Sequence, residues 1–269
     1  GASIGDRLLS PERSPSGSDS RSACMPLCNR VTPWGAIVSH PARYSLATAM
    51  FGNRGVLHDD QRQIVRPHAS RQWLSCRLSV NRTRKTQRDD NRAFNGRKRV
   101  LMTPRRYTEL FFLDEPTAMA AGHRPCACCR RQDYRRFLSA WRAAHPRREP
   151  WTAAAVDASL HAERLLADGS KARHAARLAE LPDGVQVSLG GTEAGLEQQD
   201  AWLLWRGALH EWSHLGYGAQ RSVASMAHTP VQVLTPASLV AVLKAGFETG
   251  LPHESALGPR DGRQPGESQ

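Results

Sequence analysis

Three cysteines, Cys126, Cys128 and Cys129, fall within four consecutive positions directly behind Pro125, and no other feature limits the fold of this chain as tightly. Thiols so close along the chain do not pair sensibly with one another. Two thiols separated by two residues, as Cys126 and Cys129 are, suit a different task. The intervening turn presents both sulfurs to one point, where a tetrahedral zinc ion accepts bonds of roughly 2.3 Å. Behind them Tyr134, Phe137, Leu138 and Trp141 repeat at i, i+3, i+4 and i+7. That spacing predicts a helix through about Ala144 with one face packed and its arginines turned outward. A helix N-terminus just after the turn also favours the thiolate form of both cysteines. Cys128 lies between the two and faces elsewhere, as a small spare residue.

The remaining composition supports reduced thiols. The chain has 269 residues and six cysteines, at 24, 28, 76, 126, 128 and 129. No run approaches the roughly 18 apolar residues of a membrane span. Residues 1–24 are rich in Ser, Arg and Pro and lack the apolar stretch of a secretory leader. A cytoplasmic setting without membrane partners is therefore expected, with metal binding favoured over a disulfide framework.

The formal net charge is +12 and the isoelectric point about 10.2. Basic residues crowd the stretch from Arg77 to Arg106, opposed only by Asp89 and Asp90. Such a footprint suits a polyanion, most simply nucleic acid, with DNA favoured over RNA. Phosphate contacts are expected from Arg82, Arg84, Lys85, Arg97, Lys98 and Arg99 on one segment, and from Arg130, Arg131, Arg135 and Arg136 on the helix after the cysteines.

Along the chain, residues 1–24 read as an extension outside the fold and 251–269 as a tail. Trp73 to Val80 alternates as a half-buried strand, and Val100 and Met102 resume the pattern beyond Asn95-Gly96, predicting a hairpin with a long basic connection. Leu110 to Leu113 is a short apolar strand. Asp114, Pro116 and Gly122 are the start and stop signals of a helix over 115–121. Residues 151–182 read as a helical connection. Strands are predicted at Val185–Leu189, Ala201–Trp205, Ala208–Trp212 and Val231–Leu234, and a last helix is expected with Thr235 as cap, Pro236 first and Gly246 at its end. The fold class is α+β: a small knuckle-bearing half at 25–150, then a β-rich half at 183–250 with a C-terminal helix.

The stretch from Glu109 to Cys129, with Gly122, Arg124, Pro125, Cys126 and Cys129 in order behind a short strand and an Ala-rich helix, resembles the second half of the zinc domain of the Ada DNA-repair family. His123 stands where that family has an aromatic residue. The family uses four cysteines, two as a close upstream pair. No such pair precedes the helix at the expected place here. The ligand set this resemblance implies is Cys76, Cys126 and Cys129 with one of Cys28, His58 or His123, around Zn2+. In that family a zinc-bound thiolate accepts a methyl group from a DNA phosphotriester, and Cys76 would be that nucleophile here. The likeness covers about thirty residues and implies DNA binding, repair or regulation.

One enzymatic alternative follows from Pro125-Cys126-x-x-Cys129 together with His161-Ala162-Glu163. Zinc deaminases combine those two elements, with the His as ligand and the Glu as general acid/base. Their usual order is the reverse of this one. A third possibility is a structural zinc site with no nucleic-acid role.

Overall fold

The computed structural model describes residues 26–42, 49–78, 100–190, 200–250 and 252–253. It is an α+β structure built around two six-stranded sheets. The first runs β2 (Ile37–Ser39), β1 (Cys28–Val31), β5 (Leu110–Phe112), β3 (Met50–Asn53), β4 (Leu74–Arg77) and β6 (Arg124–Pro125) in spatial order. It is mixed: β1 with β5 and β4 with β6 are parallel, the other pairs antiparallel. The second is antiparallel throughout, in the order β11 (Gly216–Ser222), β10 (Ala208–Ser213), β9 (Trp202–Trp205), β8 (Gln186–Ser188), β12 (Pro230–Val233) and β7 (His174–Arg177).

Local chemistry explains the elements that position the cysteines. Asp114 caps helix α1 (Glu115–Ala120), its carboxylate accepting from the Thr117 amide at 2.9 Å. Gly122, at φ +88°, reverses the chain after it, and a Cβ there would meet Arg164 Cγ at 2.8 Å. The chain then enters β6, turns through the cysteines and starts helix α2 (Arg131–Ala144). Gly52 on β3 faces Ser75 on β4, and a side chain at 52 would lie 2.0 Å from the Leu74 carbonyl oxygen. Only glycine lets the strand carrying Cys76 lie this close.

Helix α2 buries Phe137, Ala140 and Trp141 as its spacing requires. That face does not close a separate N-terminal core. It packs into one cluster with Val156 and Leu160 of helix α3 (Ala153–Ala162), Val187, Leu204, Leu209 and Val233 of the second sheet, and Leu239, Val242 and Leu243 of helix α4 (Ala237–Lys244). Each such fully buried side chain is worth about 1.5 to 3 kcal/mol. The two halves therefore share a core.

Several expectations need correction. Val100 and Met102 are not in a strand, and Met102 takes φ 52°. The rest of the expected hairpin, 79–99, lies outside the described residues. The helical connection reduces to α3, after which the chain enters β7, because His174 to Arg177 pairs with β12. Thr235 does not cap α4. Its hydroxyl accepts from the Gln186 amide at 3.0 Å, and Pro236 occupies the cap. At Arg206-Gly207 both residues have positive φ, 51° and 73°, which makes the tight turn between β9 and β10.

Candidate metal centre

Cys76, Cys126 and Cys129 converge. Their sulfurs all lie within 4.8 Å of one another, and no fourth His, Cys, Asp or Glu joins them among the described residues. Two neighbouring strands bring this about. The parallel pairing sets Leu74 beside Arg124 and Ser75 beside Pro125, and the Cys126 amide donates to the Ser75 carbonyl at 3.0 Å. Cys76 near the end of β4 and Cys126 just past β6 thus lie at the same end of the sheet, and the turn returns Cys129 to them.

Backbone amides complete the cradle. Cys126 Sγ accepts from the Cys128 amide at 3.4 Å and from the Cys129 amide, and Cys129 Sγ accepts from the Arg77 amide. Hydrogen bonds from Cys129 and then Cys76 hold Cys126 well below the usual thiol range. Cys76 is pushed up, first by its bonds to Cys126 and Cys129 and then by burial, and Cys129 is raised chiefly by its bond to Cys126. The arrangement thus favours the thiolate at Cys126 and the protonated thiol at Cys76 and Cys129. A divalent cation at this point would take the place of those protons, so the donor set fits a thiophilic metal ion.

The surroundings are apolar. Ala49, Phe51 and Leu78 pack directly on the cluster, with Leu74, Tyr107 and Phe111 at its margin. Cys76 is 2% exposed and Cys126 5%. Cys128 is exposed and is not one of the three converging thiols.

Each fourth-ligand candidate is engaged elsewhere. Cys28 lies on β1 and donates to the Ile37 carbonyl at 3.4 Å. His58 contacts Thr108 Oγ1 at 2.6 Å and the Thr103 carbonyl at 3.3 Å. His123 is fully buried, and its tautomer follows from its partners. Arg54 Nε can only donate, and it reaches His123 Nε2 at 3.0 Å, so Nδ1 carries the proton and donates to the Leu74 carbonyl at 2.9 Å. Burial and the neighbouring Arg54 keep this imidazole neutral, well below the ordinary histidine range.

The enzymatic candidates are not assembled around the sulfurs. His161 stands against His68, with ring centroids 4.9 Å apart, and outside the thiol cluster. The Glu163 carboxylate is held by the Ser238 amide and hydroxyl at 2.8 and 2.6 Å and by Arg148 at 3.0 Å. Cys76, the candidate nucleophile, is buried on its strand.

Arg130 corrects a further expectation. It is 5% exposed, not a surface contact for phosphate, because three partners enclose it. Its guanidinium pairs with Glu115 at 2.6 Å and Asp133 at 2.9 Å and donates to Ser75 Oγ at 3.1 Å. It thereby ties the knuckle to α1 and β4. Arg131, Arg135 and Arg136 are exposed on α2, with Arg136 reaching back to Asp133 at 2.8 Å. Arg82, Arg84, Lys85, Arg97, Lys98 and Arg99 lie outside the described residues. The supporting groups Ser75, Glu115 and the Arg77 amide have no sequence signature, since each comes from a different element and one is backbone.

Fold and site together define an α+β protein with a buried three-thiol centre disposed to hold a metal ion. No protein-family model, curated protein or solved structure matches the chain. Among the described residues no helix is long and apolar enough to cross a membrane.

Proposed function

We propose that Cys76, Cys126 and Cys129 hold a Zn2+ ion, and that this centre anchors a basic surface that binds nucleic acid, DNA before RNA. The convergence of three sulfurs from two strands and a turn, each of Cys126 and Cys129 backed by amide donors, carries the proposal. When bound, zinc would cross-link Cys76, Cys126 and Cys129 as thiolates and so fasten β4 to the knuckle. The protein's own residues do the rest. Backbone amides donate to the sulfurs of Cys126 and Cys129, Arg130 clamps the knuckle to its neighbours, and α2 begins just after the last cysteine with Arg131, Arg135 and Arg136 exposed.

The Ada-like order of Gly122, Arg124, Pro125, Cys126 and Cys129 also supports this proposal, with DNA repair or regulation as its setting. Exposed arginines on one helix beside Arg77 form a phosphate-binding face whose affinity falls with salt. The test is fluorescence anisotropy of a duplex DNA at two salt concentrations. Replacing Arg131, Arg135 and Arg136 together by Ala is expected to weaken binding alike on unrelated sequences and to flatten the salt slope by about two to three. Unchanged DNA binding in that variant would contradict the assignment.

A further inference from the structure

Buried arginines in this protein follow two patterns. Arg124 forms a two-pronged pair with Asp157, at 2.7 and 2.6 Å, and Arg130 is held by Glu115 and Asp133. Arg54 and Arg164 are buried as deeply, each 1% exposed, yet neither forms an ion pair with a carboxylate among the described residues. Arg54 donates to the Gly35 carbonyl at 3.0 Å and to His123, while Arg164 donates to the carbonyls of Gly122 and Arg71 at 2.7 and 2.8 Å. On both guanidinium groups the second terminal nitrogen is buried with no hydrogen-bond partner. The carboxylates that Arg164 does feel, Asp157 and Glu163, are engaged by Arg124 and Arg148.

The two guanidinium groups share one platform. Their central carbons lie 3.9 and 4.7 Å from the Trp73 ring centre. Lys171, half-buried, sends its ammonium group to the Ala120 carbonyl beside them, and its pKa is pushed down to about 7 by burial and then by Arg54 and Arg164. His68 and His161, both half-buried, lie beside the same tryptophan with ring centroids 5.8 and 6.3 Å away, the first tilted and the second edge-on, and His161 Nδ1 is also a buried atom without a partner. Burying one ion costs several kcal/mol, and neighbouring like charges add to that cost. A fold that compensates Arg124 and Arg130 so fully leaves this cluster of cations to be compensated by something else.

We propose that Arg54, Arg164 and Lys171, with His68 and His161 at the margin, form a binding site for a phosphate group. A tetrahedral dianion offers enough oxygens for the one unpartnered terminal nitrogen of each guanidinium and an ammonium, and enough charge to offset their mutual repulsion. The two imidazoles at its margin are only half-buried. The site lies around Trp73, three residues before Cys76, and uses none of the three sulfurs.

The experiment is calorimetric titration of the full chain with inorganic phosphate, against chloride and acetate at matched ionic strength. Saturable binding of one phosphate per chain, absent for both controls, is expected. Arg164→Gln and Lys171→Met are each expected to weaken it by about tenfold or more. Lys171→Met decides the matter where the arginine variant fails to fold. No saturable phosphate binding, equal binding of acetate, or unchanged affinity in a folded Lys171→Met variant would overturn the proposal. Displacement of phosphate by a 5′-phosphorylated oligonucleotide, but not by its 5′-hydroxyl counterpart, would assign the group to a nucleic-acid end, and displacement by neither would assign it to a small phosphate. Unaltered phosphate affinity in the Arg131, Arg135 and Arg136 variant is expected, which separates this site from the α2 surface.

Discussion

At the scale of single residues, side chains of one chemical type are divided by their partners into different roles. Cys126 and Cys129 accept backbone amides and meet Cys76, whereas Cys128, between them, is exposed. Cys128→Ser is therefore expected to keep metal and stability, while Cys126→Ser loses the metal. The same geometry sets a pH dependence. Cys76 and Cys129 have raised pKa values without metal, so metal uptake must displace their protons, and affinity must fall as pH falls. Competition with a chromophoric chelator at pH 8 and pH 6 is expected to show weaker binding at pH 6, and equal affinities would contradict that. His123 shows how much a partner decides. Arg54 fixes its tautomer, and both ring nitrogens are thereby used inside the protein.

At the scale of elements, the site depends on one close strand contact. Gly52→Ala puts a methyl group against the Leu74 carbonyl and is expected to cost about 3 kcal/mol, measured by urea unfolding. A cost within experimental error would mean that β3 and β4 shift freely. The helix signals from Asp114 to Trp141 were legible in the sequence because they act within a few residues: a cap, a stop glycine, an apolar period. So were β5, β8, β9, β10 and β12, with the Arg206-Gly207 turn. The first three strands, β7 and β11 were not: their residues are not strongly alternating, and β7 pairs with β12, far along the chain. Arg130 was misplaced for a related reason. Helical spacing puts it at the exposed end of α2, but Glu115 and Ser75, from other elements, enclose it. Of the centre itself, Cys126 and Cys129 followed from their spacing, and Cys76 only from the Ada-like resemblance.

At the scale of the whole molecule, α2 and α3 join the thiol centre to the shared core. Asp157 on α3 receives the buried Arg124 of the knuckle strand, so Asp157→Ala leaves an unpaired buried cation and is expected to cost about 3 to 5 kcal/mol in chemical denaturation. A small loss would show that the pair does not connect the two halves. Asp133 adds an acid limit. Burial raises its pKa, but the bonds from Arg136, Arg130 and Arg77 win and bring it down to about 2, below its unfolded value. Its contribution is thus fully present above the ordinary carboxylate range and is lost as pH falls from about 4 toward 2. Asp133→Asn is expected to flatten the stability profile in that window, and a parallel profile would exclude Asp133 as its source.

Three thiols from β4 and the knuckle are expected to hold one metal ion, which elemental analysis of the purified protein can count. One zinc per chain is expected in the parent and in Cys128→Ser and His161→Ala, with none in Cys126→Ser and little in Cys76→Ser. A parent chain that takes up no metal, or a Cys76→Ser variant that retains a full equivalent, would contradict the claim.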